Sequence, residues 1–600
     1  MRKLAILYVA LISLTSALVS PAAVRPTIKK ISKAKKAAEK PAVRRWLGSL
    51  TLNQKVAQLV MIPFYGEAPN TRSRQYRQFL HLVRDEQVGG LILINRTNRG
   101  VRRAEPYALA AFLNRMQRMA KIPLIVSGDF ERGASMRVDG MTLYPHAMAF
   151  AAAGDPQATK LMGEVTARDA RALGVHWVFF PVADVNSNPD NPIINIRSFG
   201  ENPRDVAAHV RAFIAGAQSD NKNRVLTTAK HFPGHGDTSV DSHIALSSIP
   251  ADRAHLDSVE FLPFRAAIEQ GVDSIMTAHI AVPALDEPDL PATLSSKIVT
   301  GLLREEFKFS GLIITDALEM GGIAKGYSTG EAAVRAIEAG ADVLLMPPDP
   351  DAAIRAVVAA VKKGRLSVKR IDESVARVLA AKQSVGLDKT KLVDLEGIAD
   401  IVNSPEAAVQ AQDVADRAVT LVKNDGAAVP LRNPAGAAFV ILIESRNSTE
   451  GQIIAQELQK RAPTAQVITL DPSLPDSELD AAAQKAATSE QIVVMAFASV
   501  AAYRGDLALP GSFPRLVDNL IAGTKPVTLV SLGSPYLVRS FPKAAAYLTT
   551  YSPVPTGETA AVKALFGEIA ISGHLPVTIP AIANVGFGIS VPLRARVTVP

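Results

Sequence analysis

Eight short apolar runs recur between residues 57 and 347, each followed by a polar or Gly/Pro-rich turn and then a longer amphipathic stretch. They read VAQLVMIPF (57–65), GGLILI (89–94), PLIVS (123–127), WVFFPV (177–182), RVLTTA (224–229), DSIMTA (273–278), GLIIT (311–315) and DVLLMP (342–347). Runs this short, rich in β-branched residues and without polar alternation, read as strands buried on both faces, which parallel strands joined by helices achieve. Eight of them within residues 46–390 predict an α/β fold with an N-terminal (β/α)8 TIM-type barrel. An open, doubly wound sheet has the same rhythm, and spacing does not separate the two.

A second series follows residue 417. AAFVILIES (437–445), AQVITL (465–470), QIVVMAFAS (491–499), PVTLVSLG (526–533) and AAYLTTYS (545–552) alternate with helical stretches such as TEGQIIAQELQKRA. This predicts a C-terminal αβα sandwich domain over 418–600, joined to the barrel by a linker at 391–417. No Gly-rich phosphate-binding pattern follows any of these strands, so the sequence supports no nucleotide site and implies no cofactor.

The front of the chain has a different character. Arg2-Lys3 precede an uncharged run from Leu4 to Val19, then small residues around Ala22 and Ala23, which is the pattern of a secretory signal peptide at 1–22. The expectation is export, to a periplasmic or secreted location, with cleavage near Ala22; a retained anchor is the alternative, the run being just short of the ~17–25 residues that span a bilayer. Residues 23–45 read as a basic tether, suited to contact with an anionic envelope polymer or simply to solvation. The chain has no cysteine, so it carries no disulfide, no thiolate chemistry and no lipid-attachment residue. Its net charge of +9 is confined to the leader and tether: residues beyond 45 hold 55 basic and 56 acidic side chains. A neutral body without a basic, aromatic-rich face excludes a nucleic-acid partner.

In a barrel, chemistry sits where strands end at their carboxyl side. Asp129, Asp184, Lys230 with His231, His279 and Asp316 each stand directly after a predicted strand. Individually each has a plainer account: Asp129, Asp184 and Asp316 as helix caps, Lys230 as an ion-paired strand end, His279 as a buried hydrogen-bonded histidine. Their convergence on one rim is what points to a site.

The stretch KHFPGHGDTSVDSH, residues 230–243, holds three histidines, two aspartates and a lysine. His231 and His235 have the spacing of a helical zinc pair, but Pro233 and Gly234 break any helix between them, so no metal is expected. In an extended Asp241-Ser242-His243 segment, the Asp241 carboxylate reaches one nitrogen of the His243 ring and leaves the other for a ligand. A turn closed by that same contact is the plainer account. The chemistry that fits is retaining glycoside hydrolysis, with Asp316 as nucleophile, His243 as acid/base, Asp241 as its partner, and Lys230, Asp129 and His231 on the sugar hydroxyls.

KHFPGHGDTSVDSH and IITDALEM resemble the signatures of glycoside hydrolase family 3, in its β-N-acetylglucosaminidase branch, whose acid/base is a histidine held by an aspartate two residues earlier. The resemblance implies the same three catalytic roles for Asp316, His243 and Asp241. It adds Arg197 in IRSFG and Arg137, eight residues after Asp129, to the sugar-contacting set of Asp129, Lys230 and His231. AVTLVKNDGAAVPL (418–431) and SGHLPVTIP (572–580) look like that family's C-terminal domain. One departure stands out: the family usually has D-Q-E-G-G-R after the third strand, where this chain has DFERGAS. The implied activity is an exo-acting retaining glycosidase releasing terminal β-linked N-acetylglucosamine from an oligosaccharide or muropeptide. Alternatives within the family are a phosphorylase, a β-glucosidase or a β-xylosidase. Outside it, the alternative is an exported sugar-binding protein without turnover.

Overall fold

The computed structural model describes residues 41–64, 70–97, 100–500, 503–505 and 507–594. The expected signal peptide and the first part of the expected tether lie outside these residues. The last part does not behave as a tether: Pro41–Gly48 is helical, and Val43 and Trp46 are buried in the barrel's core, because an aromatic and a β-branched residue three apart share one helix face.

All eight runs form strands: β1 (Val60–Pro63), β2 (Gly90–Ile92), β3 (Ile125–Gly128), β4 (Trp177–Val178), β5 (Leu226–Phe232), β6 (Ser274–Thr277), β7 (Leu312–Thr315) and β8 (Leu344–Leu345). Each pairs in parallel with its sequence neighbour, β1 also pairs with β8, and Ile314 of β7 bridges to Val343 beside β8. The ring therefore closes, which removes the open-sheet alternative and leaves no exposed edge. Trp177 braces the ring, its indole N–H donating to Thr228 Oγ1 at 2.7 Å and lying 3.0 Å from Ser274 Oγ.

A helix returns after each strand. Three begin with the same local device, an Asx residue before proline: Asp155-Pro156, Asn202-Pro203 and Asp349-Pro350. The Asx side chain accepts a backbone N–H of the first turn at 2.9 Å in all three, while proline occupies a position whose N–H has no intrahelical partner. This fixes where each helix starts and so how long the preceding rim loop is.

The second domain holds β9 (Thr420–Asn424), β10 (Ala437–Leu442), β11 (Gln466–Leu470), β12 (Gln491–Ala498), β13 (Val527–Gly533) and β14 (Ala546–Thr549), in the order β9-β14-β13-β12-β10-β11. All neighbours are parallel except β9 and β14. Five of these strands match the five apolar runs; β9 does not, its TLVKN being half polar because it is an edge strand. Helices cover both faces, giving the αβα sandwich.

The described residues form one compact unit. Met148, Ala149 and Ile196 of the barrel side pack in the same core as Tyr536, Leu537 and Tyr551 of the sandwich. About half of the segment expected to be a linker belongs to the helix Pro405–Ala418, wedged between the two parts. Its Gln410 meets Tyr144 Oη at 2.8 Å on the barrel side, and its Asp416 meets Lys563 Nζ at 2.6 Å on the sandwich side.

Candidate active site

Asp316 continues β7, its backbone N–H donating to Thr277 O of β6 at 3.0 Å, so the rigid ring places it. Its Oδ1 accepts the Ala317 N–H at 2.7 Å, a local bond and not a helix cap. Burial by itself disfavours the charged carboxylate, but His231, His279 and His243 around it pull its pKa down to about 2. It is an anion at neutral pH. His279 is fully buried, with Nε2–H donating to Ala317 O at 3.0 Å and Nδ1 against Thr293 Oγ1 at 2.9 Å. It supports the turn that carries Asp316 and does not line the cavity.

His243 sits across the same cavity. Its ring Nδ1–H and its own backbone N–H both donate to Asp241 Oδ1, at 2.8 and 2.9 Å. The expected extended geometry is absent, because Ile244 N–H and Ala245 N–H close a turn onto Asp241 O. The turn presents the ring as well as an extended strand would, since the aspartate takes two N–H groups of one residue. The pinned Nδ1–H leaves Nε2 facing the cavity. Burial favours the neutral acid at Asp241, but the bonds from His243 and the Tyr503 N–H lower its pKa.

The loop from β5 to His243 is anchored along its length. Gly236 lies against Val185 O so closely that any Cβ would overlap it, and Asn191 Nδ2 donates to the carbonyls of His235 and Gly236 at 2.9 and 3.0 Å. His235 spends one ring nitrogen on Thr238 and the other on Ser242, at 2.7 and 2.8 Å. At the far end, Gly321 N–H donates to His243 O at 3.0 Å, tying the loop that carries His243 to the segment after Asp316.

The opposite wall is an ion network. Lys230 Nζ lies 2.9 Å from Asp129 Oδ1 and 2.8 Å from Glu131 Oε1; Arg137 pairs with Asp129 at 2.9 Å, and Arg197 grips Glu131 through two bonds of 2.8 and 2.9 Å. Burial opposes charge on both acids, but the cations outweigh it, and Glu131 is held well below the usual carboxylate range. A register shift between Ala229 and Phe232 breaks the strand alternation, so adjacent Lys230 and His231 both reach the rim. His231 Nδ1 lies 2.7 Å from the fully buried Asp184, which also accepts the backbone N–H groups of His231 and His235. Asp184 is a support, not a helix cap.

Asp129, Arg137, Arg197, Lys230, His231, His243 and Asp316 therefore line one cavity of about 400 Å³, with Asp241 directly behind His243. Sequence reasoning missed Glu131, Arg132, His146 and Tyr503 in its walls. Glu131 carried a readable signal, since residues two apart after a strand share a face with Asp129. Tyr503 carried none, lying 262 residues from Asp241. Among the described residues, the one cluster with metal-ligand spacing is His81, Glu86 and Asp351, away from this cavity.

The description "Glycosyl hydrolase family 3 N terminal domain" matches residues 51–381, and the corresponding C-terminal domain matches 419–590. The chain belongs to glycoside hydrolase family 3. This glycoside hydrolase acts on O-glycosyl bonds. It is 28% identical over 558 residues to a β-N-acetylglucosaminidase/β-glucosidase of Cellulomonas fimi, covering 89% of this chain and 95% of that one. Among solved structures it resembles a family 3 β-N-acetylglucosaminidase from Paenibacillus sp. str. FPU-7, with 33% identity, TM-score 0.80, and coverage of 88% of this chain and 99% of the other. It also resembles the β-glucoside phosphorylase BglX, with 26% identity, TM-score 0.78, and coverage of 90% and 96%. Among the described residues of the family 3 chain, no helix is long and apolar enough to cross a membrane.

Proposed function

We propose that this enzyme is an exo-acting retaining glycosidase that releases terminal β-linked N-acetylglucosamine. The observation that carries the reading is that Asp316 and a histidine pinned by Asp241 face one cavity large enough for a terminal sugar. Asp316 attacks the anomeric carbon, forming a glycosyl ester as the glycosidic bond breaks; protonated His243 gives its Nε2 proton to the departing oxygen. Neutral His243 then takes a proton from water, whose oxygen displaces Asp316 and restores the carboxylate. Asp241 stabilises the imidazolium through Nδ1–H and holds one ring orientation. The network of Asp129, Lys230, Arg137, Arg197 and His231 supplies donors and acceptors for the sugar hydroxyls and the acetamido group.

The hexosaminidase reading draws on the names of the relatives and on the Asp-x-His loop. Cell-wall or chitin-type saccharides, muropeptides among them, are the substrate class proposed, with export directed by the leader. Likeness to a phosphorylase favours a second reading: an imidazole acid/base can become neutral after its first proton transfer, so a phosphate anion would meet less repulsion than beside a carboxylate.

Nitrophenyl β-glycosides of N-acetylglucosamine, glucose and xylose, each with and without inorganic phosphate, test all of this. Preferred turnover of the N-acetylglucosaminide to free sugar supports the reading. A sugar 1-phosphate product replaces hydrolysis with phosphorolysis, preference for another glycoside replaces the substrate, and binding without turnover removes catalysis.

A further inference from the structure

Four cations stand in the cavity wall around Asp129, and three are matched by carboxylates. Lys230 bridges Asp129 and Glu131, Arg137 holds Asp129, and Arg197 holds Glu131. Arg132 is different. Its guanidinium makes no hydrogen bond or ion pair with the described residues, and its Nη1 is buried without a partner. Glu131 is the carboxylate that attracts it, but both Glu131 oxygens are already engaged by Arg197 and Lys230. Arg103 and Arg137, also beside it, are like charges.

A guanidinium nitrogen withdrawn from water beside other cations is unfavourable until an anion completes it. Burial first, then repulsion from Arg103, lowers its pKa to about 10, so it stays charged at neutral pH. Its position restricts what that anion is attached to. Asp316 ends β7, whereas Arg132 follows β3, four strands away round the eight-stranded ring, so the two stand on opposite walls of the cavity. Arg132 therefore faces the end of a bound sugar remote from the carbon that reacts. Its planar fork matches a group presenting two oxygens.

We propose that Arg132 receives an anionic oxyacid group, a carboxylate or a sulfate ester, carried by the terminal sugar away from its anomeric carbon. This rests on the reading of the cavity as a terminal-sugar site.

The full chain is assayed on two matched pairs of nitrophenyl β-glycosides: N-acetylglucosaminide against its 6-O-sulfate, and glucoside against glucuronide. The anionic member of at least one pair is expected to have a kcat/KM about tenfold or more above its neutral partner, with the advantage shrinking at high salt. Preference in the first pair assigns the sulfate ester and preference in the second the carboxylate. In Arg132→Gln the anionic-to-neutral ratio falls about tenfold or more, and Arg132→Lys retains part of it. Ratios are compared within each variant, so a general loss of folded enzyme cancels. Ratios near one for the unmodified chain in both pairs, or a preference that Arg132→Gln leaves intact, overturn the inference. Turnover of the neutral N-acetylglucosaminide that disappears in Asp316→Asn keeps the terminal-sugar reading standing in that case. Absence of any turnover overturns both.

Discussion

The backbone N–H of Tyr503 donates to Asp241 Oδ2 at 2.8 Å, joining the sandwich domain to the barrel loop that carries His243. The Tyr503 ring packs edge-on against His243, with centroids 5.2 Å apart. Tyr503 occupies left-handed backbone at φ 68°, an unfavourable conformation for a residue with a Cβ, so its loop must be held. Arg504 holds it, pairing with Glu444 and donating to Ser499 O at 3.1 Å and Ala508 O at 2.8 Å. Asp241 thus accepts N–H groups from both domains, and the orientation of His243 depends on both.

Arg504→Ala should therefore lower kcat by about ten- to a hundredfold through misplacement of His243, with a smaller change in KM. Arg504→Lys should recover part of the loss. Steady-state kinetics on a nitrophenyl N-acetylglucosaminide checks both; equal effects on KM and kcat would assign the loop to substrate binding instead.

Asp316→Ala should lower kcat by at least about a thousandfold, since the proposed nucleophile and its charge are lost together. Azide should then restore turnover and give a glycosyl azide of inverted configuration. Its pKa of about 2 also sets a pH expectation: folded Asp316 is ionised from pH 4 to 8. The folded value lies below the unfolded value near ~3.9, so this carboxylate's stabilisation is present above pH ~4 and is lost as pH falls through about 2. Covalent trapping by a 5-fluoro glycosyl fluoride, whose leaving group needs little acid help, should be flat over pH 4–8. An acid limb in that range would show that Asp316 is not the attacking group.

Glu131→Ala leaves Arg197 and Lys230 each short of a carboxylate in a buried wall. The cost expected for breaking such a network from one side is about 3–5 kcal/mol, read from urea unfolding, with a fall in kcat/KM as the cations proposed to bind the sugar lose their orientation. Glu131→Gln should cost less, because the amide oxygen still accepts one bond.

Lys382 lies far from this chemistry, fully buried in the barrel with its ammonium bonded to Gln58 Oε1 at 2.7 Å. Burial pushes its pKa down to about 7. Between pH 7 and ~10.4 the unfolded chain binds a proton that the folded chain does not, so this group makes stability rise with pH across that window and withholds it below pH 7. Urea unfolding at pH 6, 8 and 10 should show the rise, and Lys382→Met should flatten it.

Local pattern carried the architecture far. Apolar runs of strand length between helical stretches found all eight barrel strands, because a strand buried on both faces must be apolar along its whole length. The same logic failed for β9, which sits at a sheet edge and tolerates Lys423 and Asn424, and for 391–417, whose alanine-rich helix buries little apolar bulk and reads like a connection. At the site, position after a strand found Asp129, Lys230, His231 and Asp316, and the Asp241–His243 spacing found the dyad.

The sequence by itself determined which residue types stand at the rim, because strand ends and i,i+2 spacing are properties of neighbouring residues. Closure of the ring, the turn that replaces an extended Asp241–His243 segment, the pairing of three wall cations but not Arg132, and the bond from Tyr503 were decided by tertiary structure alone. Each of these depends on distances between segments far apart in the chain, and those distances are set by packing of the whole barrel and sandwich, which no local pattern encodes.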